Sequence, residues 1–240
     1  MNIFPMALTA IFFPKLTELL ATGKKENLAS IYKTVTKWVL LFNLFLMPLF
    51  LLFPEQILGL LFGKEYTASA IPMIILSGGY FISYFLFTSV YLLMTMKRTN
   101  LILINSIIIV AINILLNLFL IPKYGLIGAA LATSISFIIM ALLVLAEINY
   151  IIKIVPFNWK YPKIGFAFII SLISTKLVFN YAETLGFSGV LLSFGLFSIS
   201  FIVLLAITKS FEREDIMIME AIENKTGMYK IFSRFIKKFS

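Results

Sequence analysis

The chain has 240 residues, of which 61% are hydrophobic and 13% charged. A soluble domain carries about 25% charged residues, so this excess of apolar surface points to a bilayer as solvent. There is no Cys and no His, which excludes disulfides, thiolate metal sites and histidine acid–base chemistry.

The chain opens on MNIFPMALTAIFF, Met1 to Phe13. This stretch has no basic n-region and no small-residue cleavage site, so it is not read as a signal peptide. It is shorter than the ~20 residues a span needs and is expected to be the end of a partial N-terminal helix. Residues 14–37 follow as a polar connector. Within it Leu28, Ile31, Tyr32 and Val35 recur at helical spacing, which predicts an amphipathic helix lying in the membrane interface.

Six apolar segments are long enough to cross: roughly 37–53, 70–96, 101–121, 126–152, 164–181 and 189–207. In lipid every backbone N–H and C=O must be bonded internally, so each is expected to be an α-helix. After them Met228, Ile231, Phe232, Phe235, Ile236 and Phe239 form one apolar face, with Lys230, Arg234, Lys237 and Lys238 off it. That pattern fits an interfacial helix or a partner-binding one. The predicted fold class is all-α: a polytopic membrane helix bundle with about six full spans, a partial N-terminal helix and amphipathic cytoplasmic helices. Three regions are expected: a lobe over 1–152, two additional spans over 153–208, and a cytoplasmic tail over 209–240.

The net charge of +9 is explained by where the cations lie. With connectors assigned alternately to two sides, 17 of the 20 Lys and Arg fall on one side. Only Lys64 and Lys123 fall on the other, and Lys176 lies inside a span. The positive-inside rule makes the rich side cytoplasmic, the C-terminus included. The basic balance therefore needs no nucleic acid, and none is expected as a partner. The expected location is the cell membrane.

The stretch NLFLIPKYGLIGAALATSIS, Asn117 to Ser136, interrupts two spans. Pro122 is expected to end one helix and Gly125 to supply the freedom of a very short turn. Gly128/Ala132, Ala129/Thr133 and Ala132/Ser136 are small residues four apart, a spacing that lets membrane helices approach closely. Gly125, Gly128, Ala129 and Ala132 are thus packing candidates in a tight hairpin.

Asn105, Asn113 and Asn117 fall within one 120° sector of the third span, at 100° per residue. Amides at that depth either bond to neighbouring helices or line a substrate path. Lys176 is the one Lys well inside a span, and either snorkels to the outer surface or faces a substrate path. Glu147 reads as a rim charge near Lys153, with a proton relay as the sharper reading. Pro48 and Pro72 mark a kink or helix start, or a gating bend. Ser77-Gly78-Gly79-Tyr80 precedes Ser83, Tyr84, Thr88, Ser89 and Tyr91. Its glycines permit close packing, and its aromatic hydroxyls are candidate sugar contacts.

The same hairpin resembles a family. Asn117, Pro122, Gly125, Gly128, Ala129-Ala130 and Ala132-Thr133 are similar to the N-x-x-x-x-P-x-x-G-x-x-G-A-A-x-A-T signature of polysaccharide exporters. These are the lipid-linked oligosaccharide flippases of the multidrug/oligosaccharidyl-lipid/polysaccharide superfamily. FFPKLTELLATGKKENL (Phe12 to Leu28) resembles the family's cytoplasmic F-P-x-L segment, and ILGLLFGKEYTASA (Ile57 to Ala70) its outer L-x-L-L-F-G segment. The three occur in the family's order and cover about 12–150.

Family members usually have twelve to fourteen spans in two lobes. By resemblance the chain corresponds to the second lobe from the end of its eighth span, plus two extra C-terminal spans. The resemblance implies a module that flips polyprenyl-linked precursors, with the bilayer, the lipid-linked oligosaccharide and a first lobe, in cis or in trans, as partners. The alternative is a non-transporting remnant, or a half that needs a separate first lobe. A membrane enzyme is disfavoured, because phosphoryl and glycosyl chemistry wants paired acids, a metal or a base. Glu18, Glu26, Glu55, Glu65 and Glu183 form no paired-acid motif. Neither cofactor nor metal is expected.

Overall fold

The computed structural model describes residues 3–182, 186–210 and Asp215. The apolar face from Met228 to Phe239, and Glu183, lie outside the described residues. Among the described residues nine α-helices and one 3-10 turn are delimited, in order: α1 (Ile3–Ala21), α2 (Lys25–Leu52), α3 (Pro54–Leu61), the 3-10 turn (Lys64–Ser69), α4 (Ala70–Phe85), α5 (Phe87–Thr95), α6 (Thr99–Tyr124), α7 (Leu126–Ile152), α8 (Tyr161–Ala182) and α9 (Phe187–Ile207). Among the described residues there is no strand. Among the described residues six helical runs are long and apolar enough to cross a membrane, and the fold is an all-α polytopic bundle.

The N-terminal third differs from the sequence reading. Helix α1 passes through Pro14 to Ala21 instead of stopping before a connector. Helix α2 is one 28-residue helix from Lys25, so no separate interfacial helix precedes the span. An in-plane helix needs a breaker before the span, and residues 25–47 contain neither Gly nor Pro. The apolar face is real but serves the bundle: Leu28, Tyr32 and Val35 are buried in its core.

Two further boundaries shift. The span over 70–96 is broken at Leu86 into α4 and α5, with no Gly or Pro at the break. Pro122 does not end α6, which runs on to Tyr124. The chain reverses at Gly125, whose φ of 55° lies in the left-handed region, where Gly carries no side-chain penalty. Pro48 stays inside a continuous α2, and Pro72 sits in the first turn of α4, where its missing N–H costs nothing.

The helix ends repeat one device. Gly23, Lys97, Lys153 and Lys209 each take positive φ just after α1, α5, α7 and α9. After α5, Lys97 N–H donates to Met94 O and Arg98 N–H to Leu93 O, at 3.0 and 3.1 Å. After α9, Lys209 and Ser210 repeat this to Ala206 O and Leu205 O, each at 3.1 Å. This paired pattern satisfies carbonyls left open at a helix end. A left-handed Lys costs roughly 1 kcal/mol, offset in part by placing a cation at the negative end of the helix dipole.

Packing falls into linked clusters. At the basic end Leu16, Leu19, Leu28, Tyr32, Leu92, Leu93, Val144, Ile148 and Ile154 join α1, α2, α5 and α7. Leu40, Leu41 and Leu44 of α2 meet Ile164 and Phe168 of α8 and Phe197 and Phe201 of α9. The α8–α9 pair is thereby packed against α2.

Candidate functional site

Helix α7 lies between α6 and α4, and small residues let both approach. A Cβ on Gly128 would overlap the Leu120 carbonyl of α6. On the other side, a Cβ on Gly79 of α4 would stand 2.5 Å from Ser134 Cβ and 2.6 Å from its Cα. Ser134 Oγ also donates to Ile75 O of α4 at 3.0 Å. Gly128, Ala132 and Ser136 therefore serve one seam, and Ser134 another. Gly125 makes the turn, and Ala129 is half-buried beside it. The sequence pattern predicted one close neighbour; α7 has two.

The three asparagines follow the α6–α7 seam. Asn105 Nδ2 donates to Glu147 Oε2 at 2.9 Å. Asn113 Nδ2 donates to Ser136 Oγ at 3.2 Å, and Asn117 Nδ2 to Asn113 Oδ1 at 2.9 Å. Asn117 Oδ1 is buried without a hydrogen-bond partner. Amides bonded across a seam hold two helices together, and among their oxygens that of Asn117 is buried and unpartnered. Glu147 is half-buried and is held by Asn105.

Lys176 lies elsewhere. It is exposed on α8 and lines a cavity of about 280 Å³ with Leu51, Leu52, Pro54, Glu55, Gln56 and Phe179. Among the described residues it makes no ion pair within 4 Å. The structure thus groups Asn105, Asn113 and Asn117 along one seam and sets Lys176 apart, in a polar recess between α8 and α3.

A larger cavity of about 490 Å³ lies against α2, α3 and α4, lined by Phe50, Leu58, Met73, Leu76, Ser77, Tyr80 and Tyr84 among others. The Tyr80 and Tyr84 rings stack with centroids 5.5 Å apart and planes 8° from parallel. Phe137 of α7 braces Tyr80 at 5.1 Å. The cavity follows from helical spacing, since residues four apart share a face. Among the described residues no group of three acidic, Cys or His side chains could hold a metal ion.

Two contacts escape a reading by sequence. Tyr32 of α2 hydrogen-bonds Ser89 of α5 in the core. Lys37 Nζ donates to Asp215 Oδ2, and Trp38 Nε1 donates to Asp215 Oδ1 at 2.9 Å. Their one advance signal is that Asp215 is the chain's single Asp.

Against this geometry the sequence comparisons are informative. The chain is 26% identical over 198 residues to a protein of Haloferax volcanii named as a probable low-salt glycan biosynthesis flippase, Agl15. It is 32% identical over 142 residues to the capsular polysaccharide biosynthesis protein CapF of Staphylococcus aureus. The chain thus resembles proteins named for glycan flipping and polysaccharide biosynthesis. A membrane protein of Methanocaldococcus jannaschii is 28% identical over 178 residues. These alignments cover 79%, 56% and 74% of this chain, but 39%, 34% and 35% of the relatives. It thus spans little more than a third of the proteins it matches. No protein-family model matches, and no solved structure does.

Proposed function

We propose that the chain is one lobe of a carrier that flips polyprenyl-linked oligosaccharide or polysaccharide precursors across the cell membrane. The observation that carries this reading is the similarity to the Haloferax flippase along 79% of the chain. Such carriers alternate by rocking one helical unit against another around a site near the midplane. The head group needs a polar lining and the polyprenyl tail an opening to lipid. The transport step itself breaks no covalent bond.

In this reading residues 1–152 form the lobe and 153–208 the additional pair of spans. The α6–α7 amides lie at membrane depth, and Asn117 Oδ1 offers an open acceptor to a sugar hydroxyl. Lys176, in its recess, meets the phosphate-bearing part of the substrate. Because the match spans 39% of the flippase, a first lobe completes the carrier in cis or in trans. The basic end, with the C-terminus, faces the cytoplasm.

The test is a fluorescent lipid-linked oligosaccharide in reconstituted vesicles, with head-group exposure read by an impermeant quencher. Flipping is expected with a first lobe fused or co-reconstituted and absent for the 240-residue chain alone. Asn113→Leu and Lys176→Gln are expected to slow flipping while assembly stays intact. Full flipping by the chain alone overturns the half-carrier reading. No flipping by an assembled pair favours the non-transporting remnant.

A further inference from the structure

We propose that the basic end of the bundle holds a binding site for one anionic phospholipid, distinct from the transport path. Two adjoining cavities form it. One, of about 270 Å³, is an apolar trench walled by Leu19 and Leu20 of α1, Leu28 of α2, and Ile151 and Ile152 of α7. The other, of about 350 Å³, is lined by Gly23, Lys24, Lys25, Glu26 and Asn27. Gly23 and Lys25 border both.

The sequence ATGKKEN builds this arrangement. Gly23 closes α1 with a φ of 67°, and a side chain there would project into open space, so the junction between the cavities is unobstructed. Two lysines follow at once. Both are exposed, and neither makes an ion pair or a side-chain hydrogen bond among the described residues. Across the trench Lys153 follows Ile152 at the end of α7, exposed and likewise unpaired. Glu26 is the one acid lining the pair of cavities, so two lysines line them against one carboxylate, with Lys153 next in sequence to the trench residue Ile152.

An apolar trench adjoining a pair of lysines with net positive charge matches the two halves of an anionic phospholipid. The trench takes a stretch of one acyl chain, which gains burial against Leu and Ile. The lysines take the phosphate and its negative charge. Basic pockets between helices at the positively charged face of a membrane protein bind anionic head groups in this manner. A free phosphate has no use for the trench, and a zwitterionic lipid gains little from the lysines.

The test is binding of dioleoyl phosphatidylglycerol to the purified full chain in neutral detergent, followed by native mass spectrometry. Dioleoyl phosphatidylcholine and inorganic phosphate are titrated in parallel. One tightly retained phosphatidylglycerol per chain is expected. Each lysine near an anionic surface contributes about fivefold in affinity, so the double variant Lys24→Gln/Lys25→Gln is expected to bind about 25-fold more weakly. Ile152→Ser is expected to weaken the phospholipid and leave inorganic phosphate unaffected. Lys33→Gln/Lys160→Gln removes equal charge from the same end and is expected to change little. Melting temperatures identify any variant that fails to fold, and Lys25→Arg is expected to retain binding. Equal retention of phosphatidylcholine, an equal loss in the Lys33/Lys160 control, or phosphate bound as tightly as the phospholipid would each overturn the site.

Discussion

Lys37 and Asp215 form an ion pair with neither side chain exposed to solvent. Lys37 lies in α2 and Asp215 beyond the end of α9, so the pair fastens the chain after the last span to the first long one. Lys37 also reaches Ser210 O at 3.5 Å, and Trp38 adds an indole hydrogen bond to the same carboxylate. Removing one member of a buried pair strands the other charge, which costs about 3–5 kcal/mol. Asp215→Asn should therefore lower the melting temperature in detergent substantially. Lys37→Met/Asp215→Leu, which strands no charge, should recover most of the loss. An unchanged melting temperature for Asp215→Asn alone would disprove the pair.

Adjacent glycines in α4 should respond differently. Gly79→Ala drives a methyl into Ser134, whereas a Cβ on Gly78 meets nothing within 4 Å. Overpacking of this kind costs about 1–3 kcal/mol, while Gly78→Ala should be neutral or stabilising through helix propensity. Paired thermal melts decide it. Equal behaviour of the two variants would mean that α4 is rotated from its position here.

Gly128→Leu should lower folded yield in detergent, because the hairpin cannot accept a side chain against Leu120. Gly165→Leu serves as the control, since Gly165 has open space around its Cα. A Gly128→Leu protein with normal yield and melting temperature would place Gly128 against lipid.

The membrane orientation is open to a direct test. The chain has no native Cys, so single cysteines report cleanly. Lys64→Cys should react with an impermeant thiol reagent on intact cells, and Lys97→Cys only after lysis. The reverse pattern would invert the assignment.

Much of this architecture was legible in the sequence because the bilayer imposes a simple rule on it. Apolar runs of the right length become helices, and the hairpin around Gly125 is marked by small residues at a spacing few other structures require. What stayed hidden depends on long-range contact. Lys37 looks like another basic connector residue until Asp215, 178 positions away, is seen beside it. The break at Leu86 carries no Gly or Pro, so local propensity does not announce it. Residues 27–35 have the spacing of an interfacial helix, and only the neighbours α1, α5 and α7 show that their apolar face is core. The asparagines were found by their shared sector. That Asn105 holds Glu147, and that Lys176 stands apart from all three, required the fold.

The turn at Gly125 bears on how the protein is made. A single residue separates α6 from α7, and successive Cα atoms are only 3.8 Å apart, so the connection has no slack. One helix cannot cross the bilayer while its partner waits in the ribosomal tunnel or in water. A connection this short favours insertion of the two as one helical hairpin, in which the amides of α6 find Ser136 and Glu147 as partners. Paired in this way, those polar groups are shielded from hydrocarbon by the hairpin itself.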